Sequence, residues 1–517
     1  MKILKFLVLL LLLCPFGNRV SAQTPVWSKR YDSGVVDSSM DVRLTSTGSF
    51  VHFAGVSRNG TTYKLVTRCF DPAGNEQWTR VGNTFLPGEV LFVKRDYQFN
   101  TVMICKSAST YTLIRYDVNA IETFRKTLTD RPIGMGLEST IRIYVGYDAL
   151  LGFKAECYLS GNGSTVWSRI DHDGMSAKGF ALDWNNNVYI GGQRASTQIY
   201  PDRRVTKFNG ANPTYVWAVD HSNGPGTDDV SVLNVDAAGN VYCEGVGDMF
   251  NSSDNRYLTK FNNFGVVQWT SISGTIAGFN NVYHPHDIYF DSQQNPYLIG
   301  DIYYIQAVVP SSIFYVRKVD KNTGTLIYQV VPNFNGTQMD ELYYGYTSDA
   351  FDNIYLLGKL KLNNGSNDGY CRMTKISGVN GSIKWNWLGS VHSVSNVTNS
   401  AAISPTGELY LGNTEQTLTV DMVLRKFTQP NNGAKLASGN EEETLEVYPN
   451  PFSNRINFSQ LLDNAKLTLV DLSGRVVKSE IISGNTLNID ADLPSGIYIL
   501  TITTQEGDTS IRKLIKE

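Results

Sequence analysis

The chain has 517 residues, too many for one small core and enough for a large domain with a smaller one behind it. Its formal net charge of −3 leaves neither a basic footprint for nucleic acid nor a polyacidic tail. With 28 Tyr, 23 Phe and 45 Gly against 17 Pro and 18% charged residues, the composition excludes disorder and favours strands joined by tight turns.

Residues 1–22 read as a signal peptide. Lys2 and Lys5 give a positive start, Phe6 to Leu13 an apolar run, and Val20-Ser21-Ala22 a small-residue cleavage site. Cleavage after Ala22 would leave a chain starting at Gln23. A rival reading, a lipoprotein modified at Cys14, meets Leu13 where such signals carry a small residue. The run is too short to span a bilayer, and no later stretch approaches about 18 apolar residues, so no transmembrane segment is expected.

A repeat fills the middle of the chain. One unit is a strand, a Gly/Asn turn and a strand with an aromatic anchor, as in Phe70-Asp-Pro-Ala-Gly-Asn-Glu-Gln-Trp78 and Phe261-Asn-Asn-Phe-Gly-Val-Val-Gln-Trp269. The anchor series is Trp27, Trp78, Phe124, Trp167, Trp217, Trp269, Tyr328 and Trp385, which absorbs six of the eight tryptophans. A second unit lies between anchors, a turn and then a strand with Tyr and Gly. Its clear copies are Asp236-Ala-Ala-Gly-Asn-Val-Tyr242-Cys-Glu-Gly245, Asp291 to Gly300, Asp349 to Gly358 and Ser404 to Gly412. The Asp caps its own turn, and Gly or Asn supplies a positive φ. Each repeat holds about four strands in roughly 50 residues, the size of a propeller blade.

Trp27 precedes any complete repeat, and the last repeat ends at Lys426-Phe427 without an anchor. The N-terminal strand is therefore expected to complete the last blade and close a ring. The anchors predict an eight-bladed β-propeller, with a seven-bladed one as the alternative because the repeat around Phe124 is degraded. The Asp-x-x-Gly-Asn-Val-Tyr-x-x-Gly unit resembles the SBBP-type β-propeller repeat. The Thr-Gly-Thr-Leu-Ile-Tyr unit resembles the tryptophan-docking repeat of quinoprotein-like propellers. The likeness spans residues 23–430; it implies a fold and says little of function, because propellers host many activities. Cys69, Cys105, Cys157, Cys243 and Cys371 lie in predicted strands without close pairs, as small core residues do. One or two disulfides remain open to an exported protein.

In a propeller the connection from an outer strand to the next inner strand opens on one face. His172, His221, His284, His286 and His392 fall in such connections, accompanied by Asp171, Asp173, Asp220, Asp228, Asp229 and Asp287. Tyr303, Tyr304, Arg203 and Arg204 come from loops on the same face. The first reading of this face is a binding surface for an extracellular glycan or protein, formed by His172, Asp173, His221, Asp228, Asp229, His284, His286, Asp287 and His392. The second is a metal held by His284 and His286, two residues apart on a strand; no other cofactor is expected. The third is an extracellular hydrolase or lyase acting on polymer. No Gly-x-Ser-x-Gly elbow, His-Glu-x-x-His or phosphate loop is present, nor the adjacent cysteine pair of quinoprotein alcohol dehydrogenases. Against all three stand plain structural roles: solvated loop histidines, turn acids at Asp228-Asp229, and a strand-start role for Asp287 matching Asp41. No catalytic residue is assigned.

Residues 431–444 are short and polar, a linker. Residues 445–517 follow with Tyr448-Pro449-Asn450-Pro451, then Asp471-Leu-Ser-Gly474-Arg, then Gly496-Ile-Tyr498, and a basic end at Lys513. This succession resembles the type A C-terminal sorting domain of type IX secretion. The prolines stiffen an entry turn, Gly474 suits a positive-φ place, and Ile497 to Thr503 alternates as a half-buried strand. A small Ig-like β-sandwich of about seven short strands is expected. The resemblance implies the type IX translocon and its sorting peptidase as partners, and a product secreted or attached to the outer-membrane surface after Sec export to the periplasm.

Overall fold

The structure, a computed structural model, describes residues 21–22, 24–138, 141–195, 200–212, 214–223, 226–247, 255–273, 281–304, 311–332, 339–362, 369–389, 397–416, 419–427, 447–448, 452–471, 475–489, 493–503 and 509–516. The proposed signal sequence up to Val20, Cys14 and the linker lie outside them. The chain divides into two compact units, Met1–Gln429 and Pro430–Glu517, each taken here by itself.

The described residues of the first unit form eight sheets, each with four antiparallel strands. Sheets 1 to 8 are numbered by their first strands: Val36–Leu44, Glu89–Arg95, Arg131–Glu138, Gly174–Leu182, Val232–Val235, Asn281–Phe290, Met339–Ser348 and Val397–Ile403. Sheet 5 shows the pattern, with Val232–Val235, Val241–Gly247, Asn255–Phe261 and Val267–Ser273 pairing in order. Sheet 8 takes its fourth strand from the other end of the chain: Trp27–Tyr31 pairs with Val420–Phe427, Trp27 opposite Lys426. The expected ring closure is present. Sheet 7 gains a short fifth strand, Ser21–Ala22, parallel to Trp385–Asn386.

The core is a circuit of eight apolar clusters, each shared by consecutive sheets. Sheets 1 and 2 share Leu65, Met103 and Ile114; sheets 4 and 5 share Val205, Leu233 and Phe261; sheets 7 and 8 share Met373, Trp387 and Leu411; and sheets 8 and 1 share Leu424, Phe53 and Val66. From sheet 2 to sheet 6, and from sheet 7 through sheet 8 to sheet 1, the first strands of successive sheets contact one another and line the inner side of the ring. The unit is an all-β propeller.

The repeated residues hold this ring together. In sheet 5, Asp236 accepts hydrogen bonds from the backbone N–H groups of Ala238 and Asn240, both at 2.9 Å, and from the Asn240 amide at 2.8 Å. The fourth turn position needs a left-handed backbone, and it is Gly239 (φ 80°), Asn186 (61°), Gln294 (64°) or Asp352 (60°) in successive copies. The Tyr of the second strand then heads a cross-strand row. Tyr242 lies opposite Lys260, which lies opposite Trp269. The Lys260 ammonium sits 5.2 Å from the Tyr242 ring, and both Lys260 Nζ and Trp269 Nε1 donate to the Lys321 carbonyl of sheet 6, at 2.8 and 3.0 Å. A Cβ on Gly324 would come within 2.6 Å of the Trp269 ring, so the indole packs where the next sheet has no side chain. The rows Tyr189–Lys207–Trp217, Tyr297–Lys318–Tyr328, Tyr355–Lys375–Trp385 and Tyr410–Lys426–Trp27 repeat the arrangement.

Cys69, Cys105, Cys157, Cys243 and Cys371 are buried and free. Burial pushes the thiols of Cys105 and Cys371 up to about 12. The second unit packs Phe452, Ile456, Leu469, Leu487, Tyr498 and Leu500 into one core. Among the described residues five strands build it, where about seven short ones were expected: Val447–Tyr448, Arg455–Asp471, Val476–Asn488, Gly496–Thr503 and Thr509–Lys516. The difference lies in Arg455–Asp471 and Val476–Asn488, which pass through two register shifts between Asn457 and Ala465 without breaking. Bulges there bend a long hairpin where turns were expected.

Candidate functional site

Charged groups line the inner strands of sheets 1, 2 and 6. Both carboxylate oxygens of Asp41 lie near Arg43 Nε, at 3.2 and 3.3 Å, on the inner strand of sheet 1. Lys94, on that of sheet 2, has its pKa lowered by burial and by Arg43, against the opposing pull of Asp41 and Asp287. Asp287 belongs to sheet 6, so its effect on Lys94 reaches between non-adjacent sheets. Burial raises the Asp287 pKa, although Tyr343 donates a 2.6 Å hydrogen bond to its Oδ2. His286 stacks on Tyr343 at 5.1 Å and pairs through Nε2 with Asp301.

The two-residue spacing of His284 and His286 does not act as simple alternation predicts. The register shifts between Pro285 and Asp287, leaving His286 as the extra residue of a bulge and breaking the period of two. His284 stands opposite Asp301 on the neighbouring strand.

The described histidines of the expected face lie on or directly after strands at different places in their sheets. His172 follows Thr165–Asp171 directly and His221 ends Tyr215–His221, both outermost strands, whereas His284 and His286 lie on an innermost one. A residue at the very end of an outer strand stays at the periphery, whichever face its connection crosses. His392 lies outside the described residues. His172 Nδ1 is 3.1 Å from the Leu151 carbonyl, and His221 Nε2 is 3.2 Å from Asn223 Oδ1. Burial lowers the His221 pKa.

The acids near them are tied into ion pairs between sheets. Arg204 donates to buried Asp171 at 2.7 and 3.1 Å, to Asp220 at 2.6 Å and to exposed Asp173 at 3.4 Å. Burial lowers the Arg204 pKa, but the hydrogen bonds it donates to Asp171 and Asp220 outweigh this and raise it. Asp228 is fully buried 3.8 Å from Arg203, and takes two 3.0 Å hydrogen bonds from Asn223. Asp229 pairs with Lys178 and caps the Val230 N–H at 2.7 Å. These acids lock loops to sheets.

One constellation was invisible in the sequence. Ligand atoms of Asp32, Asp37 and Asp421 lie within 4.8 Å of one another, the set of three such groups found among the described residues. Ring closure alone unites them, so no local motif announces them. Each already has donors: Asp32 takes the Gly34 N–H at 2.8 Å, Asp37 takes Ser33, and Asp421 takes Arg30 and Thr419.

In the second unit Tyr448 pairs with Asn457, while Pro449, Asn450, Pro451 and Gly474 lie outside the described residues. Asp471 Oδ1 accepts the Arg475 N–H at 3.1 Å and closes the expected hairpin. Gly496 opens a strand with Tyr498, which is buried and donates to the Pro494 carbonyl at 2.7 Å. Lys513 stands on the last strand, opposite Ile499.

Residues 446–517 match the family model described as "Secretion system C-terminal sorting domain". No curated protein matches the chain. Among solved structures, the Dos1 propeller is 9% identical, with 65% of this chain and 92% of that one covered and a TM-score of 0.36. Hydrazine synthase of Kuenenia stuttgartiensis is 9% identical, covering 74% and 95%, at 0.38. PorZ, a surface component of the type IX secretion system of Porphyromonas gingivalis, is 8% identical, covering 95% and 100%, at 0.25. The propeller fold of this chain rests on the strand pairing given above. The chain ends in a sorting domain that type IX machinery recognises, which sends it to the cell surface or the medium.

Proposed function

We propose that this chain is a binding or scaffold propeller for an extracellular glycan or protein, carried out of the cell by type IX secretion. A Sec signal at residues 1–22 takes it to the periplasm, the ring closes there, and the sorting peptidase removes the C-terminal domain after passage. The supporting observation is the sorting domain itself, which matches over 446–517 and has its own core of Phe452, Leu469 and Tyr498. Such a module can be read and removed without opening the ring. A binding role suits the charged groups around Arg204, which are engaged in fixed ion pairs and so give a rigid frame.

Deleting Leu445 to Glu517 tests the route. The expected outcome is a protease-resistant propeller retained in the periplasm while the full chain reaches the surface or the medium. Normal export of the truncated chain would refute the sorting role.

A further inference from the structure

The eight tryptophans divide unevenly. Six are anchors, and Trp387 is buried at 5% exposure among sheets 7 and 8. Trp184 is 83% exposed. It follows Asp183 in the first turn of sheet 4, where the corresponding residues of sheets 5 to 8 are Ala237, Ser292, Ala350 and Pro405. The turn does not need it: Asp183 takes the Asn185 and Asn187 N–H groups at 2.9 Å, as its counterparts do. No ring contact among the described residues engages the indole. The turn gains nothing from an indole where alanine serves, and the ring is left as exposed aromatic surface beside a second exposed aromatic, Phe264.

A shallow cleft of about 100 Å³, open to solvent, lies beside this indole between sheets 4 and 5. Its other walls include Ala237, Ala238 and Gly239, whose small size leaves space next to the ring, and exposed Asn185 and Asn263. Phe264, 75% exposed, follows Asn263 on the same turn. The two charges at the cleft offset each other, because Lys207 Nζ is 3.8 Å from the Asp183 carboxylate. An aromatic face, free amides and no net charge suit a ligand with an apolar C–H face and neutral hydroxyls.

We propose that this cleft binds a neutral saccharide, stacked on the Trp184 indole and hydrogen-bonded through Asn185 and Asn263. The site lies at the Asp-x-x-Gly-Asn turns, away from the histidines. It rests on the binding reading above and gives that reading a ligand class. Neutrality separates it from sites for sulfated or uronic polymers, which need uncompensated cations.

The chain from Gln23 to Glu517 would be titrated with cellohexaose, laminarihexaose, xylohexaose and mannohexaose, following tryptophan fluorescence. A saturable change is expected with at least one of them. Trp184→Ala should weaken that binding at least tenfold with an unchanged unfolding midpoint, and Asn185→Ala should weaken it severalfold. Silence with all four sugars overturns the proposal, as does a Trp184-dependent association with protein alone. Sugar binding that survives Trp184→Ala overturns this site but leaves the binding reading standing. The export test above does not depend on any of these outcomes.

Discussion

His52 is the one histidine away from the predicted face, and its chemistry is that of a core residue. It fills the place that Tyr242 or Tyr297 holds in other rows, opposite Cys69 and then Trp78. It stacks on Phe99 at 3.6 Å and meets Trp78 edge-on at 5.5 Å. Burial first, then Arg95 and Arg80, lowers its pKa to about 3. The folded protein therefore holds the neutral ring, while the unfolded chain takes a proton near pH 6.5. This contribution is complete above that pH and is lost as pH falls from 6.5 towards 3, at about 1.4 kcal/mol per pH unit. His52→Phe should remove that part of the acid sensitivity. Urea midpoints of both proteins at pH 7, 5 and 4 check it, and parallel pH profiles would show the ring is not held neutral.

At the scale of the element, one residue type serves two ends. Trp269 links sheets 5 and 6 through Lys321 and Gly324, whereas Trp184 is exposed and has no ring contact among the described residues. Trp269→Ala should cost about 3 kcal/mol, read as a lower urea midpoint, against less than about 0.5 kcal/mol for Trp184→Ala. Equal losses would dissolve the distinction. The anchors and the Asp-x-x-Gly-Asn turns were legible in sequence because each copy must repeat the same capping carboxylate and the same positive-φ residue. The histidine rim was not legible, since its residues share a type of connection but not a distance from the axis. His172 and His221 stop at outer strand ends, and a bulge at His286 upsets its alternation with His284. The long strands of the sorting domain were also misjudged. Asn464, at φ 45°, and its neighbours bend Arg455–Asp471 without the glycine or proline that would have marked a turn.

For the whole molecule, the decisive bond is between the two ends of the propeller. Trp27–Tyr31 hydrogen-bonds along Val420–Phe427, Trp27 Nε1 donates to the Pro72 carbonyl at 3.2 Å, and Arg30 pairs with Asp421. One short strand thus joins sheet 8 to sheet 1. Residues almost four hundred positions apart in sequence meet in this strand pair, the longest-range pairing in the ring. Removing residues 24–31 would strip the outer strand from sheet 8 and leave a row of free backbone groups on Val420–Phe427, an edge prone to pair with another copy. The shortened chain should unfold at lower temperature and elute as oligomers that grow with concentration, while the full propeller stays monomeric in the same column. A shortened chain that remains monomeric and as stable as its parent would mean that the eight clusters hold the ring without this strand.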